Sequence, residues 1–171
     1  MSTRLVKGTA VISLADGAKL GAIDHVYLDP RRKEIVGFSF HSGGLFGKTS
    51  NMVDVSDVHS IGPDAVTLTD TSAVRSEIAI NAKCEDLIEL DDLLKRKVVT
   101  EGGTFVGQVT SIEFGLDSYR LTRIAVSSGF LRGADTIHAD DILNVAGELV
   151  VVSDAVCGAE AGGQVQAVAV A

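Results

Sequence analysis

Short stretches of the chain alternate between apolar and polar residues, which is the period expected of β-strands. The segments Val36-Gly-Phe-Ser-Phe-His41 and Ile124-Ala-Val-Ser127 both place every second side chain on an apolar face. Val and Ile dominate the apolar residues, and 18 glycines interrupt them at intervals that suit turns. The pattern therefore predicts an all-β protein built from short strands.

The strand pattern occurs twice along the chain. Gly17-Ala-Lys-Leu-Gly21 recurs 86 residues later as Gly103-Thr-Phe-Val-Gly107, and the apolar and glycine positions that follow correspond at the same offset. A slip reduces the offset to 84 residues before Asp57-Val58, which corresponds to Asp141-Ile142. Because two copies of one fold retain apolar character and glycine positions more than identity, this self-similarity predicts a tandem duplication.

Both copies break the period of two at the same place. The apolar positions after Gly21 are Ile23, Val26 and Leu28, and the corresponding positions in the second copy are Val109, Ile112 and Phe114. An amphipathic helix is the competing interpretation of this spacing. The β-branched content and the nearby glycines favour a β-bulge shared by the two copies, a device that curls a small sheet.

Turn signals divide the chain into segments. Asp16-Gly17 and Gly102-Gly103 are typical of hairpin turns. Acidic residues that open short apolar stretches predict helical turns at residues 91–95 and 139–143, where Asp91-Asp92 and Asp140-Asp141 would cap the first turn rather than perform acid–base catalysis. The predicted segments are a first repeat at residues 4–72, a linker at 73–89, a second repeat at 90–155 and a flexible tail at 156–171.

Two segments resemble the opening of a PRC-barrel domain. The segment from Leu93 to Val109 has a leucine-containing turn, basic residues before the first strand, a glycine hairpin and a G-x-V step, and Leu5 through Ile23 follows the same order. Each copy also closes with an Asp-Val or Asp-Ile step and a final strand. The resemblance implies two small barrels of about six strands each in tandem, with short helical turns. It also implies docking onto other macromolecules, and it carries over no catalytic motif.

Composition restricts the choice of partner. The formal net charge is −8 and the pI is near 4.9, which disfavours direct binding of nucleic acid through phosphate contacts. Cys84 and Cys157 have neither disulfide-framework nor zinc spacing. The sequence has no stretch resembling a signal peptide or a membrane span. We therefore expect a cytoplasmic protein without a cofactor or metal, for which peripheral contact with a membrane and homodimer formation stay open.

One glycine-rich loop resembles a nucleotide site. The segment Gly43-Gly-Leu-Phe-Gly-Lys-Thr49 is one residue too short for a P-loop, and a strand pattern rather than a helix follows it. A connecting loop is the better interpretation. The apolar and basic residues of this loop and of its second-copy equivalent either anchor a partner or fold back over the barrel ends; they are Leu45, Phe46, Lys48, Phe130 and Leu131.

Charged and titratable clusters complete the set of candidates. The basic cluster Arg31-Arg32-Lys33 lies on a predicted hairpin loop, where it would touch an acidic partner or anionic lipid, unless it is only a solvated turn. His25 and His41 have outward parity and are expected to be neighbours across a hairpin. A metal site would need a third ligand, which the histidine and cysteine spacing does not supply.

The sequence leads to three functional hypotheses. The first is a non-enzymatic cytoplasmic adaptor or assembly module that docks on other proteins. The second is a factor linked to ribosome maturation or RNA processing that docks on a ribosomal protein. The third is a small-ligand or metal-sensing module that uses the cleft between the two barrels.

Overall fold

The computed structural model describes residues 7–43, 49–76, 86–115, 117–128, 135–145 and 147–158. These residues form two sheets joined by short helical turns. The prediction of an all-β protein with two barrel-like units is confirmed. None of the helices within these ranges is long and apolar enough to cross a membrane.

The first sheet is built around six strands from the first half of the chain. They are β1 Ala10–Ser13, β2 Lys19–Asp29, β3 Glu34–Ser42, β4 Thr49–Asp54, β5 Val58–Ile61 and β6 Ala65–Leu68. Their order in the sheet is β5-β6-β1-β2-β3-β4, in which β1 and β6 are parallel and the other neighbours are antiparallel. Short 3₁₀ turns follow β4 at Val55–Asp57 and β6 at Thr71–Ala73.

The predicted linker adds two short strands to this sheet. Strand β7, Arg75–Ser76, pairs with β4, and strand β8, Ile88–Glu89, pairs with β2. Residues 77–85, the central part of the predicted linker, lie outside the described residues. The helical turn α1, Leu90–Leu93, follows β8 and leads into the second half.

The second sheet repeats the arrangement of the first. Its strands are β9 Lys97–Thr100, β10 Phe105–Phe114, β11 Leu121–Ser127, β12 Asp135–His138, β13 Ile142–Asn144 and β14 Leu149–Val152. Their order, β13-β14-β9-β10-β11-β12, matches the first sheet strand for strand, and β9 and β14 form its parallel pair. A 3₁₀ turn at Ala139–Asp141 precedes β13, and the helical turn α2, Ala155–Gly158, follows β14.

The predicted bulge is present in both sheets. The pairing of β2 with β3 shifts register between Ile23 and His25, and the pairing of β10 with β11 shifts between Val109 and Ser111. Each shift leaves one extra residue on the longer strand, Asp24 in the first sheet and Thr110 in the second. Because a bulge bends its strand and increases the local twist, both sheets curl at the same point.

A glycine precedes each bulge because two strands come unusually close there. A β-carbon at Gly21 would overlap the carbonyl oxygen of His41, and one at Gly107 would overlap that of Ser127. These two glycines correspond at the sequence offset of 86 residues, as do their contacts. The recurrent glycine therefore reflects close backbone approach.

Two apolar clusters form the core, and they meet at the boundary between the halves. Leu28 of β2 is fully buried but belongs to the cluster of the second half, which also contains Leu93 and Leu121. Phe114 of β10 contacts both clusters, and Tyr119 packs against the first-half cluster. The halves therefore share part of their buried surface.

Two local predictions need correction. The helical turn predicted at residues 91–95 is observed at Leu90–Leu93, but no side chain caps it, and the same is true of the turn at Ala139–Asp141. The acidic residues do lie in the first turns, where their charge interacts favourably with the helix dipole, but they accept no capping hydrogen bond. The side-chain caps belong instead to Asp54 and Asp70, whose carboxylates accept from the backbone N–H of the residue two positions on.

The predicted tail begins with ordered structure. Residues 155–158 form α2, in which Val156 packs against the core cluster of the second half. Residues 159–171 lie outside the described residues.

Candidate partner-binding surfaces

The two halves meet where the β2–β3 turn contacts the β10–β11 turn. Glu34 and Arg120 form an antiparallel β-bridge there, and they occupy the same position in the two halves at the offset of 86 residues. A carboxylate oxygen of Glu34 lies 3.4 Å from Nε of Arg120. Because Glu34 and Arg120 are equivalent positions of the two halves, their pairing indicates a local two-fold axis at this bridge.

The backbone around the bridge follows the same symmetry. The N–H of Ile35 donates to the carbonyl oxygen of Tyr119 at 2.8 Å, and the N–H of Leu121 donates to that of Lys33 at 2.7 Å. These two hydrogen bonds are equivalent, because Ile35 corresponds to Leu121 and Lys33 to Tyr119 at the offset of 86 residues. Lys33 and Tyr119 are also the two non-glycine residues with positive φ in the described chain, at 53° and 55°. This paired left-handed geometry turns each hairpin end toward its counterpart.

The predicted basic cluster lies at this junction, and its three members differ in availability. Nζ of Lys33 donates to the carbonyl oxygens of Ala139, at 3.0 Å, and Ile142. Lys33 is therefore committed to the second half of the chain rather than free for a partner. The side chains of Arg31 and Arg32 remain 81% and 65% exposed.

Local hydrogen bonds hold the exposed arginines in place, and we call Arg31 and Arg32 the basic turn. Oδ1 of Asp29 accepts from the backbone N–H of Arg31 at 2.8 Å and of Arg32 at 3.1 Å. Their guanidinium groups contact carboxylates of Asp86, at 2.8 Å, and Glu34, at 2.7 Å. The turn thus presents two cations from a fixed backbone.

The other predicted partner-binding residues belong to two loops of the chain. Leu45, Phe46, Lys48, Phe130 and Leu131 lie outside the described residues. Whether they anchor a partner or cover the barrel ends stays a prediction.

His25 and His41 are neighbours, as predicted, and both contact the carboxylate of the bulge residue Asp24. The distances from Oδ2 of Asp24 are 3.3 Å to Nε2 of His25 and 3.0 Å to Nδ1 of His41, and Nζ of Lys7 lies 2.8 Å from Oδ1. The hydrogen bond from Lys7, assisted by the charges of the two histidines, lowers the pKa of Asp24. Nδ1 of His25 also lies 3.0 Å from a carboxylate oxygen of Glu89 on β8.

Sequence reasoning missed three members of this polar cluster, which are Lys7, Asp24 and Glu89. Glu89 reaches it because β8 pairs with β2, a contact between distant parts of the chain that no local pattern indicates. Within the described parts of the chain, no group of three or more His, Cys, Asp or Glu residues is arranged to hold a metal ion. Asp24 is the centre of the cluster, where its carboxylate contacts Lys7, His25 and His41.

A polar cleft of about 540 Å³ lies at the end of the first sheet. Residues of both 3₁₀ turns of the first half line it, and two lining residues, Arg75 and Asp57, form a salt bridge of 2.9 Å. Hydrogen bonds from Ser72 lower the pKa of Asp70 in the lining. The third functional hypothesis placed a ligand in the cleft between the barrels, whereas this cleft belongs to the first half.

Comparison with known proteins finds one family whose model matches the second half of the chain. The PRC-barrel domain model matches residues 85–156, which span β8 through the second sheet to the start of α2. This match agrees with the resemblance of the segment from Leu93 to Val109. No curated protein matches the chain.

Proposed function

We propose that both halves of the chain are PRC-barrel modules and that together they form a non-enzymatic, cytoplasmic docking unit for protein partners. The match over residues 85–156 supports this directly for the second half. For the first half, the support is the shared strand order, the shared register shift and the shared close-approach glycine.

The observation that carries the docking proposal is the basic turn. Arg31 and Arg32 present two exposed cations at the junction of a chain whose net charge is −8. Their in-chain ion pairs are solvent-exposed at the arginine end, and such pairs contribute only about 0–1 kcal/mol each. A partner carboxylate can therefore replace the in-chain partner at little cost. The partner class is a protein with an acidic surface.

Quantitative affinity purification tests this proposal. The wild-type chain is compared with the double variant Arg31→Glu/Arg32→Glu and with the control Lys19→Glu/Lys95→Glu, which makes the same charge change at two exposed lysines. We expect proteins enriched by the wild type to be lost with the basic-turn variant and retained with the control. Equal loss from both variants, or no enriched protein with the wild type, would contradict the proposal.

The same experiment separates the partner classes. Recovered ribosomal proteins, followed by co-sedimentation with ribosomal subunits at moderate salt, would assign the docking unit to ribosome maturation. Melting temperatures of the three proteins should agree, since all four substituted side chains are exposed.

A further inference from the structure

The two sheets differ at one edge. In the first sheet, the outer edge of β4 is paired with the short strand β7, where Met52 lies opposite Arg75 and Asn51 opposite Ser76. Strand β12 is the equivalent of β4 in the second sheet, and among the described residues it pairs with β11 alone. The second sheet therefore presents a free strand edge at the place where the first sheet carries an added strand.

The exposure of the side chains follows this difference in pairing. Asp135 and Thr136 of β12 correspond to Asn51 and Met52 of β4 at the offset of 84 residues. Met52 is buried and Asn51 is half-buried, whereas Asp135 and Thr136 are both exposed. The edge of β12 is thus accessible at the two positions that correspond to the paired positions of β4. An accessible strand edge offers unpaired backbone N–H and C=O groups to another strand.

A salt bridge joins β7 to the edge that it occupies. The guanidinium group of Arg75 lies 2.9 Å from a carboxylate oxygen of Asp57, in the 3₁₀ turn that follows β4. The equivalent of Asp57 is Asp141, in the 3₁₀ turn that follows β12. No described lysine, arginine or histidine forms a salt bridge with Asp141. The second half therefore has the carboxylate for a strand like β7 but not the cation.

The charges around the free edge favour a positively charged occupant. Asp135 on the edge strand is exposed, and so is Asp140, which lies beside Asp141 in the following turn. His138 is the remaining ionisable residue between positions 135 and 141. Arg123 of β11 pairs with His138 in the sheet, but its guanidinium group is already bound to a carboxylate of β10. Three carboxylates beside a strand edge are complementary to a basic segment.

The chain's own counterpart of β7 lacks the cation. The pair Arg75-Ser76 corresponds to Ala159-Glu160 at the offset of 84 residues. Alanine has no charge to pair with Asp141, and the glutamate would bring a fourth negative charge to an acidic edge. The charge pattern therefore fits a partner better than it fits this segment of the chain.

We propose that the free edge of β12 binds an extended, basic segment of a partner protein as an added antiparallel strand. A basic residue of that segment lies opposite Thr136 and pairs with Asp141, as Arg75 does with Asp57. Backbone hydrogen bonds pair the strands, and the salt bridge selects a basic segment. This surface is distinct from the basic turn and takes a partner segment of the opposite charge.

Binding of a model peptide to the full chain tests the proposal. The probe is the acetylated and amidated peptide Thr-Ser-Ala-Val-Arg-Ser, which has the sequence of residues 71–76, and its control carries alanine in place of arginine. We expect millimolar concentrations of the arginine peptide to shift the amide NMR signals of β12, most of all those of Asp135 and Thr136. The alanine peptide should bind about fivefold more weakly, because an exposed ion pair contributes up to about 1 kcal/mol.

A change in the protein tests the same ion pair from the other side. Asp141→Asn should weaken the binding of the arginine peptide by about the same factor and leave the binding of the alanine peptide unchanged. The control Asp64→Asn removes the same charge at an exposed position of the first half and should leave both affinities unchanged.

Three results would overturn the proposal. The first is equal affinity for the two peptides, or an absence of shifts in β12. The second is a change of the β12 signals with protein concentration in the absence of peptide, which would assign the edge to a second copy of the chain. The third is protection of the outward-pointing amides of β12 from hydrogen exchange in the peptide-free protein, which would show that the chain already covers this edge. The variant Arg31→Glu/Arg32→Glu should bind the peptide as the wild type does, so this test is separate from that of the basic turn.

Discussion

Leu28 provides a direct test of how the two halves are joined. It belongs to strand β2 of the first sheet, is fully buried, and packs in the core cluster of the second half. The change Leu28→Ala removes three carbons, a loss of about 2.4 kcal/mol of transfer free energy before any cavity contribution. Measured Leu→Ala changes in cores fall between about 2.7 and 5.0 kcal/mol, so we expect a loss of about 3 kcal/mol.

Amide hydrogen exchange measured strand by strand reveals where this loss appears. A loss of about 3 kcal/mol raises the opening equilibrium by about 150-fold. With Leu28→Ala, we expect this acceleration in the strands of the second sheet, β9 and β14 included, as well as in β2.

Leu68→Ala is the matched control, because Leu68 is equally buried but packs in the first-half cluster. Its acceleration should be concentrated in the first sheet. If Leu28→Ala accelerated exchange in the first sheet alone, as this control does, the inference that Leu28 supports the second core would be refuted.

Three further perturbations test the close approach, the junction and the polar cluster. Gly21→Ala should lower the free energy of unfolding by about 3 kcal/mol, because its β-carbon would overlap a backbone carbonyl oxygen. The control Gly62→Ala should lower it by less than about 1 kcal/mol. Thermal unfolding measures both changes. Lys33→Met should lower the free energy of unfolding in urea by about 1.5–3 kcal/mol, because two carbonyl oxygens of the second half lose a charged donor. The control Arg31→Met, at an exposed position, should change it by less than about 0.5 kcal/mol. The folded-state pKa of Asp24 is lowered, so its contribution to stability is present above about pH 4 and is lost as the pH falls through the folded-state pKa. In a plot of melting temperature against pH, Asp24→Asn should therefore reduce the fall in melting temperature between about pH 5 and pH 2. An unchanged fall would argue against this role of Asp24.

The strands were predictable because their signals are local. The alternation in residues 36–41 and the irregular spacing of Ile23, Val26 and Leu28 record which side chains face the core, and they located both a strand and its bulge. The recurrence of Gly21 as Gly107 reflected a steric requirement that a sequence comparison within one chain can detect.

The junction was not predictable from such signals. It depends on left-handed backbone geometry at Lys33 and Tyr119. Lysine and tyrosine seldom adopt positive φ, so the residue types at these positions do not predict it. The interpretation of residues 31–33 as one partner-binding cluster did not anticipate that Lys33 would reach carbonyl groups more than 100 residues away. Side-chain charge marks residues 31–33 as a basic cluster, but only the tertiary fold decides which of the three cations is used inside the chain.

The bridge between Glu34 and Arg120 shows what a single polypeptide gains over a dimer of identical subunits. In a dimer of identical chains, a residue beside the two-fold axis faces its own copy, so a glutamate would meet a glutamate and an arginine would meet an arginine, and both pairs repel. When both turns belong to one chain, the two positions can differ, and opposite charges can face each other across the axis. The same freedom allows one half to carry lysine where the other carries Phe105. Covalent linkage thus permits the two faces to differ while the symmetric backbone pairing is kept.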